Sequence, residues 1–425
     1  MVVSAVRPDP LPMKNARTGW SATPILLNPF LLGGCYFVFV VTMYLCGLSE
    51  LYIIDAEYVF YLIAVSGCLI FLFSLGYRSC RVAIRRASTK YVEWVNVISY
   101  GELRRLRRFN AAMFVVGVFG SIVFYRAAGI TLFQENKIAR PIGEGVFHYV
   151  AYLKDLLACQ LAVSYLLVRV YHEFHRKLVY VLMMIVSAIF LGVGLNRGVF
   201  VFPLIVIIIF ECIKAHGSYR FVLFLSAITG LFLGGFSWIG NVRVQYVFDT
   251  IYGRSVGEHY GMAGYPTWFV WFYIYLTSPL ENFRHMLFSQ EPVGHTFGAM
   301  LFYPACQVIF KVFGSNLKEY LGLYPYLDNT VGLNMSSFLA SAYQDFGALG
   351  FVLYLGVYTM LLVWSVRLAA KNVFGIFAYA MALNCLAWMV FTNSLAIGSF
   401  GIGWALFVGL AMSDRVVLVG GQAAR

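Results

Sequence analysis

The chain has 425 residues, of which 61% are apolar and only 12% are charged. So few polar side chains cannot cover a water-soluble protein of this length, so the composition excludes an ordinary soluble enzyme and predicts that lipid is its main solvent. The net charge of +12 could indicate nucleic acid, but the basic residues lie between apolar runs and form no continuous face, which argues against that partner. Eight cysteines occur singly, without the Cys/His spacing of a metal site, so neither disulfides nor a cofactor is expected.

Residues 1–28 precede the first apolar run and are predicted to form a cytoplasmic tail. They carry Arg7, Lys14 and Arg17 but no short apolar core followed by small residues. This pattern is not that of a cleaved signal peptide, so we expect the first apolar run to act as its own insertion signal.

Apolar runs long enough to cross a hydrocarbon core of about 30 Å recur along the chain. Seven of them lie within residues 29–240: Pro29–Ser49, Glu57–Tyr77, Phe109–Ala128, Val146–Val168, Leu178–Leu195, Val199–Ile213 and Phe221–Ile239. Three more lie within residues 346–412: Phe346–Val366, Val373–Phe391 and Leu395–Met412. They predict an all-α integral membrane protein of about ten transmembrane helices, followed by a cytoplasmic tail at residues 413–425.

The charges of the connections predict the orientation of the chain. Residues 78–108 hold nine Lys and Arg, and the connections near Arg176, Lys214 and Lys371 are also basic. All of these fall on one side if the amino terminus is inside, as the positive-inside rule requires. We therefore expect residues 78–108 to be a basic cytoplasmic loop.

Residues 241–345 form a connection far longer than the usual ~4 to 6 residues and are predicted to lie on the external side. This large loop is rich in Trp, Tyr and Arg. Two short apolar runs inside it, Trp268–Leu276 and Phe297–Phe313, indicate either interfacial helices or a pair of further spans. A pair leaves the orientation of every other span unchanged, so the loop charges leave both ten and twelve spans open.

Two motifs carry a resemblance to a known family. At Gly194–Phe200, GLNRGVF, an Arg follows a small-residue turn between two spans, and at Asn334–Gly350, NMSSFLASAYQDFGALG, a helix runs into Asp-Phe-Gly at the start of a span. With the intervening segments YLTSPLENF and HTFGAMLFYP, the chain from Leu178 onward resembles the bacterial oligosaccharide repeat-unit polymerases of the O-antigen polymerase type. It is more distantly similar to the O-antigen ligases.

The resemblance implies the fold of a lipid-dependent membrane glycosyltransferase in the bacterial inner membrane. Such an enzyme polymerises undecaprenyl-diphosphate-linked oligosaccharide repeat units at the periplasmic face. Its implied partners are that lipid-linked substrate, the bilayer, a chain-length-determining co-polymerase and a flippase.

Three groups of side chains suit this reaction without a metal. Arginine binds diphosphate oxygens through paired hydrogen bonds, and the candidates on the external side are Arg197, Arg243, Arg254 and Arg284. Candidate bases for the attacking sugar hydroxyl are Asp345, His259, Glu258 and His295, with Asp249 and Glu281 as further acidic residues. Candidate glycan contacts are Asn334, Ser336, Tyr343 and Trp268, because aromatic rings stack on the apolar faces of sugars.

Each of these residues also has a structural interpretation. Asp345 precedes a helical run and can cap it, and Arg197 can anchor a tight turn. His259 and His295 can be solvated loop residues, and Trp268 can belong to an interfacial aromatic belt. The residues alone leave both interpretations open.

Two other functions remain open as well. A transporter or flippase of a lipid-linked sugar favours charged or Gly/Pro-broken helices at the middle of the membrane in both halves, whereas such breaks here are concentrated outside. An O-antigen ligase performs the same chemistry with a lipid A core as acceptor. The His that ligases place near their acidic turn is missing from the sequence around Asp345, which counts against the ligase.

Overall fold

A computed structural model gives the structure of most of the chain. It describes residues 28–94, 100–128, 153–171, 173–193, 200–215, 255–288, 295–303, 337–391 and 403–413, together with the single residues 223, 227, 230, 234, 235, 253 and 306. Every regular element among these residues is an α-helix or a 3-10 turn.

The described residues contain twelve α-helices. They are α1 Pro29–Leu45, α2 Ala56–Trp94, α3 Tyr100–Ala128, α4 Leu156–Val170, α5 Phe174–Val193, α6 Val201–Ala215, α7 Val256–His259, α8 Thr267–Phe288, α9 Phe338–Phe346, α10 Ala348–Ala369, α11 Val373–Trp388 and α12 Gly403–Ser413. A 3-10 turn, Leu153–Asp155, leads into α4.

Local sequence signals position the starts of two helices that the site depends on. The side chain of Asn28 accepts two backbone N–H groups of the first turn of α1, both at 3.2 Å, and Pro29 occupies the first helical position. The side chain of Asn372 accepts the N–H of Gly375 at 2.9 Å and so caps α11. Both helices therefore begin where the apolar runs predict.

The helices pack in two groups. One group contains α1, α2, α8, α9, α10 and α11, with α2 and α11 both lying along α10. The other contains α3, α4 and α5, and α6 contacts both α4 and α11. Rings join the groups, because Phe109 of α3 lies 6.4 Å from Phe374 of α11 and 5.7 Å from Phe407 of α12.

Four helices are long and apolar enough to cross a membrane: Ala56–Ile84, Gly101–Arg126, Phe174–Gly192 and Ala348–Ala369. The helices α1, α6, α11 and α12 are apolar but shorter. Large apolar side chains such as Phe60 and Phe71, 71% and 63% exposed, point away from the bundle, as expected of a surface that faces lipid. The described part of the chain thus confirms an all-helical protein with membrane-spanning helices, while the count of ten or twelve stays a prediction.

The basic segment 78–108 differs from the predicted loop. Helix α2 has 39 residues and continues to Trp94, and α3 begins at Tyr100. Most of the segment is therefore helical, because Lys and Arg favour helices and allow α2 to extend beyond its apolar part.

The predicted external loop 241–345 also contains more regular structure than a loop. Its described residues include α8, a helix of 22 residues that buries Trp271, Tyr273 and Phe283 and packs against α1. The apolar run Trp268–Leu276 lies within this helix, which is not one of the four helices long and apolar enough to cross a membrane. Only residues 297–303 and 306 of the second run, Phe297–Phe313, are described, and residues 297–302 form turns.

Candidate active site

The candidate site lies where the segment 295–301 meets the end of α9. The backbone N–H of Thr296 donates to the carbonyl of Gln344 at 3.0 Å, and that of Phe297 donates to the carbonyl of Asp345 at 3.2 Å. Helix α8 packs against α9 beside this contact, because the ring of Phe283 lies 6.3 Å from that of Tyr343. Two regions that are far apart in the sequence therefore form one surface.

The carboxylate of Asp345 anchors this surface. It is fully buried and accepts hydrogen bonds from the backbone N–H groups of Met300 and Leu301, both at 3.0 Å. The hydroxyl groups of Tyr354, at 2.5 Å, and of Thr296 also donate to it. Four donors leave the carboxylate no free side toward an acceptor sugar, so the geometry favours a positioning role over the predicted role of base.

The prediction that Asp345 caps the helix that follows it is wrong. Helix α10 begins at Ala348, and its N-cap residue is Gly347, which provides no side-chain cap. Asp345 instead caps the turn at residues 296–301, whose orphan N–H groups its carboxylate satisfies. The backbone donors therefore come from the segment 296–301 and not from the first turn of the helix that follows in the sequence.

His295 lies beside the Asp-Phe-Gly turn that ends α9. A Cβ atom added to Gly347 would lie 3.5 Å from Cε1 of His295, so the imidazole sits directly against this glycine. Gly347 has φ +59°, a conformation that glycine adopts most easily. His295 is exposed, so the imidazole is open to a substrate hydroxyl while one of its faces is covered by the turn.

The backbone of Phe297, two residues after His295, is strained. Phe297 has φ +46°, the one positive φ at a non-glycine residue in the described part of the chain, and its side chain is 81% exposed. Such a conformation costs of order 1–3 kcal/mol and persists where the surroundings hold it, which is common at functional sites. The four hydrogen bonds to Asp345 provide that hold.

Arg284 does not have the free guanidinium that diphosphate binding requires. Its Nε and Nη2 donate to Oε1 of Glu281 at 2.9 and 2.8 Å, and its Nη1 donates to Asp55 at 2.9 Å. The hydroxyl of Tyr44 donates to the other oxygen of Glu281 at 2.5 Å. The predicted roles of Arg284 in binding and of Glu281 as a base are therefore replaced by a buried ion pair that fastens α8 to α1 and to the α1–α2 connection.

Glu258 and His259 lie on the short helix α7, which packs against α8. Glu258 accepts the N–H and the hydroxyl of Ser255 at 2.8 and 2.9 Å, and its own N–H donates to the Ser255 hydroxyl at 3.3 Å. This reciprocal pair is a capping box, which explains Glu258 without catalysis. His259 lies edge-on to Tyr260, with ring centroids 4.9 Å apart.

The two predicted aromatic glycan contacts occupy different surroundings. Trp268 is 48% exposed and lies edge-on to Phe269, 5.8 Å away, so it presents an open ring face. Tyr343 is half-buried and stacks on Phe351 at 6.2 Å beneath the site. Trp268 is therefore accessible and its glycan contact stays a prediction, whereas Tyr343 supports the packing of α9.

Several predicted residues lie outside the described part of the chain. These are Arg197, Arg243, Arg254, Asp249, Asn334 and Ser336. Their roles stay predictions. Within the described ranges, no three His, Cys, Asp or Glu side chains lie close enough together to hold a metal ion.

The sequence did not indicate most of the partners of Asp345, Glu281 and Arg284. Thr296 and Tyr354 hold Asp345, and Tyr44 and Asp55 complete the Glu281 network, but none has a spacing that indicates its partner. Only the spacing of Glu281 and Arg284, three residues apart on one helix, carried a local signal of an ion pair.

Comparison with known proteins adds no relative to this description. No family model, no curated protein and no solved structure matches the chain.

Proposed function

We propose that the protein is a lipid-dependent, metal-independent glycosyltransferase that polymerises undecaprenyl-diphosphate-linked oligosaccharide repeat units. It would act at the periplasmic face of the bacterial inner membrane, with ten or twelve spans. The motifs in the sequence suggest the reaction, and one observation supports it best: the exposed His295 lies against Gly347, on a strained segment that the carboxylate of Asp345 holds in place.

This arrangement suits the acceptor half of a glycosyl transfer. The hydroxyl oxygen at the non-reducing end of one lipid-linked unit forms a bond to the anomeric carbon of the growing chain. The bond between that carbon and the diphosphate breaks, and undecaprenyl diphosphate leaves with the electron pair. Imidazole is the side chain that most often accepts a proton in such steps, so His295 takes the hydroxyl proton.

Asp345 acts through the segment that carries His295. Because it binds the N–H groups of Met300 and Leu301, it fixes the course of the chain a few residues after the histidine. A catalytic group has to be held within a fraction of an ångström of its working position. Asp345 is therefore a positioning residue in this proposal.

The diphosphate half of the site requires cations. Arg284 is paired with Glu281 and Asp55, which leaves Arg197, Arg243 and Arg254 as the proposed ligands of the leaving group. A preorganised donor to developing charge is typically worth about 2.7–4 kcal/mol of the barrier. Two such arginines would dominate the rate.

A second function, the O-antigen ligase, gains from the same observation. The sequence around Asp345 lacks a histidine, but the fold brings His295 to the acidic turn from 52 residues earlier in the chain. The acceptor then distinguishes the two enzymes: another lipid-linked repeat unit for the polymerase, and a lipid A core for the ligase.

Incubation of the purified protein with undecaprenyl-diphosphate oligosaccharide tests the proposal. A ladder of longer lipid-linked glycans is expected, and transfer that occurs only onto an added lipid A core would identify a ligase. The variant His295→Gln should lower the rate by roughly 10²–10⁴-fold, the usual contribution of a general base. His175→Gln, which changes another exposed histidine, should keep the parental rate.

The melting temperature of each variant in detergent separates chemistry from folding. His295 is exposed, so its loss should leave the melting temperature unchanged. A His295→Gln variant that polymerises at the parental rate would remove His295 from the mechanism. Absence of any glycan transfer by a folded parental protein would contradict the proposed function itself.

A further inference from the structure

A groove lies between α2 and α10, away from the candidate active site. Its volume is about 480 Å³, which is within the range of about 300–1,000 Å³ found for small-molecule sites. Its lining is Leu75, Gly76, Ser79, Thr359, Met360, Val363, Trp364 and Arg367. The lining is mostly apolar, with one cation at one end.

The close approach of the two helices closes the apolar end of this groove. A Cβ atom at Gly76 would lie 2.8 Å from Cγ2 of Thr359 and 2.4 Å from the ring of Phe30, so only glycine permits this contact. The groove continues from there along the side of the helix pair. Met360 on its wall is 64% exposed, so the groove is open on the side that faces lipid.

The other end of the groove lies at the basic carboxyl end of α10. Arg367 is in the last turn of α10, roughly 28 Å along the helix from Ala348. On α2, Gly76 lies against Thr359 and the thiol of Cys80 donates to the carbonyl of Val363, so Arg367 lies about one helical turn beyond Cys80. This end is the one that the positive-inside rule places in the cytoplasm.

Two further features suit a lipid headgroup at this end. No described acidic side chain forms an ion pair with Arg367, and its side chain is exposed. Trp364, 42% exposed, lies edge-on to Trp404 at 5.1 Å. Tryptophan is enriched at the depth where acyl chains meet headgroups.

We propose that this groove binds one anionic phospholipid of the cytoplasmic leaflet. The acyl chain lies in the apolar part between Leu75 and Met360, with its end toward Gly76. The phosphate lies at the basic end, where Arg367 donates to its oxygens. An apolar groove that ends in an exposed arginine at headgroup depth fits this chemistry, because a zwitterionic lipid offers the arginine a weaker charge partner.

Native mass spectrometry of the full chain in detergent tests this site. The protein is titrated with phosphatidylglycerol, with phosphatidylcholine of the same acyl chains, and with undecaprenyl phosphate. We expect one tightly retained phosphatidylglycerol and weaker retention of phosphatidylcholine. Arg367→Gln should weaken phosphatidylglycerol retention about fivefold, the effect of one cation near an anionic lipid surface.

Two matched pairs of variants locate the site. Arg81→Gln removes an exposed arginine that does not line the groove, and it should retain the lipid like the parent. Met360→Trp fills the groove from its exposed side and should lower retention, whereas Val352→Trp, at a residue of the same helix that is 47% exposed, should not.

Three outcomes would overturn the proposal. Equal retention of the two phospholipids would remove the charge selectivity. Equal effects in the groove and control variants would place the lipid elsewhere. Preferential retention of undecaprenyl phosphate, lost in Arg367→Gln and Met360→Trp, would assign the groove to the polyprenyl carrier. None of these outcomes depends on glycan transfer.

Discussion

Two regions of the molecule bury polar groups, and they do so with different chemistry. Between α3, α4 and α5 the buried groups are neutral: the hydroxyl of Ser187 donates to Gln160 at 2.6 Å, Gln160 donates to Ser164 at 2.7 Å, and Ser164 donates to Asn110 at 3.0 Å. All four side chains are 0% exposed. Amides and hydroxyls can satisfy one another across helices without placing a charge in the hydrocarbon.

Between α8 and α1 the buried groups are ionised. Glu281 is 0% exposed and Arg284 is 6% exposed, yet Asp55 and His285, which extend the same network, are 43% and 41% exposed. Glu281 and Arg284 are thus buried, but the network that they belong to reaches the surface through Asp55 and His285. The difference indicates that charge is tolerated near the predicted external side, where water or a substrate can approach, and is avoided between the long apolar helices.

The largest expected effect comes from breaking the ionised network. Glu281→Gln leaves Arg284 buried with only the half-exposed Asp55 as a charge partner, and removal of one member of a buried pair costs about 3–5 kcal/mol. Glu211→Gln is the matched control, because its partner Arg169 is 41% exposed and an ion pair of that kind contributes about 0–1 kcal/mol. Unfolding in detergent with increasing dodecyl sulfate measures both. Equal losses in the two variants would contradict the comparison.

The anchor at Asp345 should show an intermediate effect. Asn at this position turns an NH₂ group toward one pair of donors, and a buried donor left without an acceptor costs about 1–3 kcal/mol. Hydrogen exchange should become faster at the amides of Met300 and Leu301, which donate to the carboxylate. Tyr354→Phe removes only one of four donors and should change stability by about 0.5–1.5 kcal/mol. Unchanged exchange in Asp345→Asn would show that the carboxylate does not hold this segment.

The smallest effect is expected in the neutral network. A double-mutant cycle of Gln160→Leu and Ser187→Ala should give a coupling energy of about 0.6 kcal/mol, and at most about 1.7 kcal/mol, as for other hydrogen bonds between membrane helices. The pair Gln160→Leu and Ser365→Ala shares no contact and should be additive. A coupling of several kcal/mol between Gln160 and Ser187 would remove the distinction between the two regions.

The elements of the fold were largely predictable because their causes are local. The apolar runs that begin at Pro29 and Val373 placed the starts of α1 and α11 correctly, and Asn28 and Asn372 cap both helices there. The end of α2 was missed because an apolar run measures the part of a helix that lies in lipid, whereas the helix itself continues through basic residues to Trp94. Helix α8 was only half predicted, since its aromatic and charged residues pack against other helices instead of lipid.

The candidate site divides in the same way. The family resemblance made Asp345, His295 and Arg284 candidates, and the positive-inside rule left Arg284 on the predicted external side unexplained. Apart from Glu281, which is three residues from Arg284, their partners lie too far along the chain for a local pattern: Asp55 is 229 residues from Arg284, and Thr296 is 49 residues from Asp345.

By itself, therefore, the sequence determined that the protein is helical, with apolar helices long enough to cross a membrane, since hydropathy acts over a few residues. The sidedness of its charges stays a prediction. Only the tertiary structure decided that Arg284 is neutralised, that Asp345 is an anchor and that His295 reaches Gly347. Those outcomes depend on which helix faces meet, and that is set by the packing of the whole bundle.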